Sequence, residues 1–354
     1  MTPRDLALLR LSAQHIAQAD FERPEDVVRH MGALQAQDYA GAKWSIALRM
    51  SDATERDIEQ AVRDRTIVRS WPQRGTIHFV APEELRWRLM LTTPRILANA
   101  QQRHNNLGLT QTDFTQAREL VYAALQGDKQ LSRPNMMRVL EDGGITTAGQ
   151  RGYHILWYLA QTAHICFGPL IGKQASFALL DDWVPAAIEL SRDEALRCLA
   201  TKYFLSHGPA SLKDFAWWSG LTMAEARQAL TYALPGLESV VVSDTTYYLA
   251  PGLEPAEGPS AYLLPGFDEY SLGYTDRSAI LAAEHAPKTV PGGNGMFKPT
   301  IVLDGQVVGT WQRSAKKSQP EPLLSPFEAD PARLRRRLAL SQQRYARFTA
   351  GSDA

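Results

Sequence analysis

The sequence predicts an α+β protein built from repeated units, each with several helices followed by a two-stranded hairpin. Apolar residues recur at helical spacing in blocks, a period-two pattern follows each block, and this order returns along the chain. The chain has 354 residues and is 44% hydrophobic, which is enough for two or three domains with sizeable cores. Helices followed by a hairpin are typical of a winged helix.

The helices of the first predicted unit, residues 1–110, are indicated by capping residues and apolar spacing. Thr2 suits an N-cap, Pro3 suits the first helical turn, and Asp5 complements the helix dipole. The apolar pattern predicts further helices over about 24–34, 38–49 and 55–65.

The hairpin of this first unit is predicted over residues 66–80, as a strand, a turn and a second strand, with Pro72 at the break and Gly75 nearby. In the second strand, Arg74, Thr76 and His78 alternate with other residues. Period two therefore places these three polar side chains on one face of the hairpin.

Two further units repeat this order over residues 111–186 and 187–253. In the second unit, helices are predicted over 114–126, 133–142 and 149–163, and a β segment over 164–180 turns near Gly168, Pro169 and Gly172.

The third unit has the clearest pattern. A capping box at 191–194 begins a helix to about 206, and a short helix at 211–219 ends at Gly220. A second capping box at 222–225 begins another helix, and strands follow near 239–243 and 246–249.

The C-terminal region, residues 260–354, has a different pattern. Short β-like runs separated by Pro and Gly predict a small sheet or barrel, and a basic helix is predicted over about 331–348. Residues 251–259 are the best linker candidate.

The composition excludes several classes of protein. Two isolated cysteines, Cys166 and Cys198, make neither a disulfide framework nor a cysteine-based zinc site. No secretory signal and no run of 18 apolar residues is present, so we expect a cytoplasmic protein without membrane contact. No P-loop, dinucleotide fingerprint, HExxH or GxSxG motif occurs, so no cofactor and no metal are predicted.

The net charge is zero, because 38 Lys and Arg residues balance 38 Asp and Glu residues. An acidic middle region opposes a basic C-terminal end. This asymmetry is compatible with nucleic-acid binding but does not require it.

Three segments resemble the HTH_42 family of winged-helix proteins, which includes the AlkZ-like and YcaQ-like DNA glycosylases. They are LQAQDY at 34–39, RGTIH at 74–78, and LLPGFDEY with LGYTDR within 263–277. Segments within 208–220 and 297–311 fit the same family. Together they cover nearly the whole chain in one order.

The resemblance implies three winged helices and a C-terminal β-barrel, wrapped into a C-shape around DNA. It implies a monofunctional DNA glycosylase that removes alkylated purines, including interstrand crosslinks. It also implies a catalytic pair that is Gln-apolar-Gln in AlkZ-like members and Gln-apolar-Asp in YcaQ-like members. Here the motif reads Gln35, Ala36 and Gln37, which is the AlkZ-like form.

Chemistry supports this pair independently. Hydrolysis of an N-glycosidic bond passes through an oxocarbenium-like sugar, where many enzymes use a carboxylate. A purine alkylated at N7 or N3 is already cationic, so a carboxamide that positions water suffices. We predict that Gln37 positions the water and Gln35 supports it. Two side chains at i and i+2 share a face only on extended backbone. Asp38 is an alternative base or the N-cap of the next helix.

Substrate binding is predicted for residues of the first hairpin and of the basic helix. They are Arg69, Arg74, Thr76, His78, Arg333, Arg335, Arg336 and Arg337. The expected partner is double-stranded DNA with alkylated bases, and we expect a monomer with no obligate protein partner. Asp268 and Glu269 are expected to be structural. Two alternatives stay open: a winged-helix transcription regulator and a genotoxin-binding resistance protein.

Overall fold

The computed structural model describes residues 1–184, 187–293, 295–314, 321–328 and 331–350. The chain divides into two compact units. The first unit comprises Met1–Ile58 and Leu196–Ala354, and the second comprises Glu59–Ala195. The four predicted domains are a different division and stay predictions.

The N-terminal part begins with helices close to their predicted ranges. They are α1 (Pro3–Ala13), α2 (Pro24–Met31), α3 (Tyr39–Ala47) and α4 (Glu55–Arg63). Thr2 and Asp5 form the reciprocal bonds of a capping box at the start of α1, as predicted. A two-residue strand, β1 (Leu34–Gln35), lies between α2 and α3.

The second unit is built on an antiparallel sheet. Its strands are β2 (Val68–Gln73), β3 (Thr76–Val80), β4 (Leu131–Ser132), β5 (Ile165–Ile171) and β6 (Gln174–Leu179). They lie in the order β3-β2-β5-β6-β4. The helices of this unit are α5 (Leu85–Asn106), α6 (Gln111–Leu125), α7 (Arg133–Asp142), α8 (Arg151–Gln161) and α9 (Leu180–Trp183).

The predicted turns of this sheet are partly right: Gly75 and Gly172 lie in the two turns, but Pro72, Gly168 and Pro169 do not. Pro72 lies inside β2, where the register shifts between Ser70 and Gln73. Pro169 lies inside β5 at a similar shift. A bulge tolerates proline because one residue there donates no ladder hydrogen bond. The first turn instead falls at Arg74 and Gly75, which both have positive φ.

The longest element, α5, was not predicted from the sequence. It begins at Leu85 and extends for 22 residues with Pro94 inside it. Its N-terminal half buries Leu85, Trp87 and Leu89, whereas its C-terminal half is mostly exposed and polar. The proline and the polar half together conceal the helical periodicity.

The third predicted group of elements lies where the sequence placed it. It contains α10 (Arg192–His207), β7 (Ala210–Ser211), α11 (Leu212–Ser219), α12 (Met223–Ala233), β8 (Glu238–Val242) and β9 (Thr245–Leu249). The strands form a sheet in the order β7-β9-β8. Gly220 ends α11 in the left-handed conformation, and Thr222 with Glu225 forms the predicted capping box.

The C-terminal region forms an antiparallel sheet with its strands in chain order. They are β10 (Ala261–Leu264), β11 (Thr300–Leu303), β12 (Gln306–Gln312) and β13 (Leu323–Pro326). The expected barrel is wrong: across the described residues the sheet stays open, with β10 and β13 at opposite edges. The remaining helices are α13 (Glu269–Leu272), α14 (Ala286–Thr289) and the predicted basic helix α15 (Pro331–Ala350).

An aromatic core joins α3, α15 and the C-terminal sheet. Trp44 contacts the rings of Tyr345 and Phe348 and donates its indole N–H to the Leu263 carbonyl at 2.7 Å. Trp311 packs against Tyr345. These contacts fix the position of α3, which directly follows Gln35 and Gln37. No helix within the described ranges is long and apolar enough to span a membrane.

Candidate active site

The side chains of Gln35 and Gln37 contact each other, as expected for residues at i and i+2 on extended backbone. The Gln35 Nε2 amide donates to Gln37 Oε1 at 2.6 Å. Gln35 is buried at the end of β1, whereas Gln37 is exposed, and Ala36 between them packs into the core. Because a carbonyl oxygen has two lone pairs, Gln37 Oε1 can also accept a hydrogen bond from water. The pair therefore presents one exposed acceptor held by a buried donor.

Asp38 is the N-cap of α3, the second of the two roles considered from the sequence. Its Oδ1 accepts from the Gly41 amide at 3.1 Å. A Cβ at Gly41 would lie 2.4 Å from Asp38 Oδ2, so glycine permits this close cap. Arg313, which follows β12, donates to Asp38 Oδ2 at 3.3 Å. No sequence signal identified Arg313.

Glu269 lies directly behind Gln35. Its Oε1 accepts from the Gln35 backbone amide at 3.3 Å, and its Oε2 accepts from Trp218 Nε1 at 3.0 Å. The carboxylate is fully buried. His207 Nε2 lies 3.4 Å from Glu269 Oε2. Burial lowers the pKa of His207, although Glu269 opposes the shift, so this imidazole is neutral near pH 7.

Asp268, the neighbour of Glu269, is differently paired. Arg49 donates to both of its oxygen atoms, at 3.0 and 3.1 Å, and Ser45 Oγ donates at 2.5 Å. Although burial raises the pKa of Asp268, Arg49 and the hydrogen bonds outweigh it and hold the pKa below its ordinary value. This ion pair links α13 to the end of α3, as expected of a structural residue.

In the second unit, three of the predicted hairpin residues lie together at the turn. Arg74 donates to His78 Nε2 at 3.2 Å, and His78 Nδ1 lies 2.9 Å from the Thr76 carbonyl. A guanidinium only donates and a carbonyl only accepts, so His78 is the neutral tautomer with its proton on Nδ1. Burial and the nearby Arg74 hold the pKa of His78 well below its usual value.

The other predicted contact residues have different surroundings. Arg69 is buried, with its guanidinium 4.2 Å from the centre of the Phe167 ring. Arg337 is partly buried and donates to Asp304 at 2.8 Å. Arg333, Arg335 and Arg336 are exposed on α15. Arg69 and Arg337 therefore already have structural partners, and the DNA contacts of all these residues stay predictions.

One group of described residues has metal-ligand character. Glu284, His285 and Glu328 bring ligand atoms within 4.8 Å of one another. Lys288 Nζ lies 3.3 Å from His285 Nδ1, so a cation already faces this exposed group. Glu328 lines a cavity with Arg333 and Arg337, and the group supports no metal assignment.

Comparison with known proteins gives the family. The family model described as DNA glycosylase AlkZ-like matches residues 28–348. The chain belongs to the AlkZ-like DNA glycosylase family. It is therefore a DNA glycosylase, a hydrolase that cleaves N-glycosyl bonds, and both of these predictions are confirmed.

A curated protein and a solved structure are similar to this chain. An interstrand DNA cross-link repair glycosylase of Streptomyces sahachiroi is 27% identical over 332 residues, which are 87% of each chain. The solved structure of Streptomyces sahachiroi DNA glycosylase AlkZ matches with a TM-score of 0.79 at 23% identity, covering 99% of this chain and 97% of the other. The structural match supports the α+β fold. The regulator and resistance-protein alternatives are not favoured.

Proposed function

We propose that this glycosylase releases purines alkylated at N7 or N3 from duplex DNA, including bases joined in interstrand crosslinks, with Gln35 and Gln37 as its catalytic pair. The observation that carries the proposal is the 2.6 Å hydrogen bond from buried Gln35 to exposed Gln37. The crosslink substrate is supported by the similarity to the Streptomyces sahachiroi interstrand DNA cross-link repair glycosylase.

The reaction needs little acid catalysis. The bond from the anomeric carbon to the cationic purine nitrogen breaks, and its electron pair neutralises the purine. Positive charge develops on the sugar, and water forms the new bond at the anomeric carbon and loses a proton to solvent. Gln37 Oε1 accepts a hydrogen bond from this water and orients it, since a positioned neutral acceptor suffices for a good leaving group.

Gln35 has a supporting role in this scheme. Its amide N–H can only donate, so it fixes the direction in which the Gln37 carbonyl faces. No lysine or N-terminal proline belongs to the motif, so the enzyme is monofunctional and makes no Schiff base. The pair follows the Gln-apolar-Gln form of the HTH_42 family.

We propose three winged-helix units in the chain. The elements after α2 run β1, α3, α4, β2 and β3. The same succession of a short strand, two helices and two strands returns from β4 to β6 and from β7 to β9. The corresponding predicted domains are 1–110, 111–186 and 187–253, with 260–354 at the C-terminus. Winged helices commonly dock on duplex DNA. We expect a cytoplasmic monomer.

The test is excision from a duplex that carries one N7-methylguanine, followed by hot alkali to cut at abasic sites. Gln37→Ala should lower the single-turnover rate by about 100-fold, because the water loses its positioning group. Gln35→Ala should lower the rate less. Gln343→Ala, an exposed glutamine of α15, is the control and should retain the full rate.

Folding and DNA affinity of each variant should be measured in parallel, by circular dichroism and fluorescence anisotropy. A Gln37→Ala variant that is folded, binds DNA and excises at the wild-type rate would remove the pair from the chemistry. An equivalent duplex carrying a nitrogen-mustard crosslink tests the wider substrate range.

A further inference from the structure

Glu269 carries a buried negative charge behind the glutamine pair. Its side chain is fully buried, and both oxygen atoms accept from N–H groups, those of the Gln35 backbone and the Trp218 indole. Neither donor can accept a proton from the carboxyl group. The 3.4 Å distance to His207 Nε2 is too long for an O–H···N hydrogen bond. These contacts fit the ionised carboxylate.

This charge differs from that of the adjacent Asp268. Asp268 is neutralised by Arg49, which contacts both of its oxygens. Within the described residues, no lysine or arginine forms an ion pair with Glu269, and its nearest titratable contact is the neutral imidazole of His207. An ion buried without a counterion is expensive for the fold. A glutamine here would turn its NH2 group toward one of the two N–H donors, so the hydrogen bonds and the charge both require the carboxylate.

We propose that Glu269 is a positioning and electrostatic residue for excision, which holds Gln35 through its backbone amide and makes the face of the glutamine pair favour cations. The inference rests on the proposed function of that pair. In the transition state, positive charge moves from the alkylated purine to the deoxyribose. A buried carboxylate close behind the pair stabilises this charge, because fields are strong where water is excluded. The site should therefore bind a positively charged sugar more tightly than a neutral one.

The experiment compares two duplexes with an abasic analogue at the same position. One carries a pyrrolidine, which is cationic and mimics the charged sugar, and the other carries a neutral tetrahydrofuran. Wild-type protein should bind the pyrrolidine duplex roughly 10- to 100-fold more tightly, as charge complementarity predicts. Glu269→Gln keeps the size and loses the charge. It should reduce this preference to about 2-fold and leave the affinity for the tetrahydrofuran duplex nearly unchanged.

Excision kinetics give the second readout. Glu269→Gln should lower the single-turnover rate on N7-methylguanine by about 10- to 100-fold with little change in KM, since the charge acts mainly in the transition state. Trp218→Phe is the matched control, because it removes one hydrogen bond to Glu269 and keeps the charge. This variant should keep the preference for the pyrrolidine duplex, even if its melting temperature falls.

Three outcomes would overturn the proposal. One is equal affinity of wild-type protein for both analogues, which needs no variant and so does not depend on whether Glu269→Gln folds. Another is a folded Glu269→Gln that keeps the pyrrolidine preference. The third is a Trp218→Phe variant that loses it to the same extent. These outcomes can be distinguished from failure of the proposed catalytic pair. In that case Gln37→Ala would excise the base at the wild-type rate, whichever abasic analogue the protein prefers.

Discussion

Two regions of the molecule differ in which group carries the charge. One is the region behind Gln35 in the first unit, and the other is the hairpin turn at Arg74 in the second unit. Behind Gln35, a carboxylate is buried, and the exposed side chain of the pair is the neutral amide of Gln37. At the turn, the buried group is the neutral imidazole of His78, and the half-buried guanidinium of Arg74 is the charged group.

This difference matches the two kinds of charge in the substrate, which are the positive charge that develops on the sugar and the negative charge of the phosphates. A glycosylase must stabilise positive charge at the sugar, and it must also bind phosphates, which are negative. We propose that the buried carboxylate of Glu269 behind the glutamine pair serves the first task. We propose that a guanidinium oriented by a neutral histidine serves the second. The two regions thus give distinct predictions for stability, acid sensitivity and DNA binding.

The largest expected effect concerns the buried ion pair beside Glu269. Arg49→Met removes the counterion of Asp268 and should lower the free energy of unfolding by about 3–5 kcal/mol. Urea unfolding followed by tryptophan fluorescence measures this loss. Arg337→Met breaks the partly exposed pair with Asp304. This control should cost only about 0–1 kcal/mol. Equal losses for both variants would contradict the distinction between buried and exposed pairs.

Acid pH should lower the free energy of unfolding by a smaller amount, through buried histidines in both units. Burial lowers the pKa of His30 to about 4, although its hydrogen bond to the Ala13 carbonyl opposes the shift. Its folded pKa lies below the ordinary 6.5, so its stabilising contribution is complete above pH 6.5 and is lost as pH falls toward 4. The loss should reach about 2 kcal/mol after allowance for partial solvent screening.

Urea midpoints at pH 7 and pH 4.5 measure this acid effect. His30→Gln can keep the donor to the Ala13 carbonyl and does not titrate, so its midpoint should fall less between the two pH values. His78 titrates in the same direction in the second unit, so some acid sensitivity should persist in the variant. An identical fall in wild type and variant would exclude His30 as a source.

Elements with local signals could be predicted from the sequence. Capping residues fixed the start of α1, and Gly220 with Thr222 fixed the junction of α11 and α12. Prolines misled twice, because a bulge can accommodate Pro72 and Pro169 within strands. Helix α5 could not be predicted because Pro94 interrupts its pattern and most residues of its second half are polar. The open C-terminal sheet depends on long-range pairing, which period-two patterns do not encode.

The candidate site was predictable only where its residues are close together in the sequence. Gln35 and Gln37 are close in sequence, so their shared face follows from extended backbone alone. Glu269 is 234 residues from Gln35, and Arg313 is 275 residues from Asp38. Only the tertiary structure brings these charges to the motif. Similarly, exposed Arg335 and buried Arg69 were given the same predicted role, although the apolar neighbours Val68 and Trp71 indicate that Arg69 is buried.

The smallest expected effect concerns the hairpin turn. Arg74→Ala should raise the dissociation constant for duplex DNA by about 5- to 10-fold and reduce the salt slope by about one, if Arg74 contacts one phosphate. His78→Phe keeps the charge and removes the acceptor that orients it, so the affinity should fall only about 2- to 3-fold with an unchanged salt slope. Anisotropy titrations over a range of salt concentrations measure both quantities. If Arg74→Ala leaves the slope unaltered, the guanidinium makes no phosphate contact, and His78 then orients it for the stability of the hairpin alone.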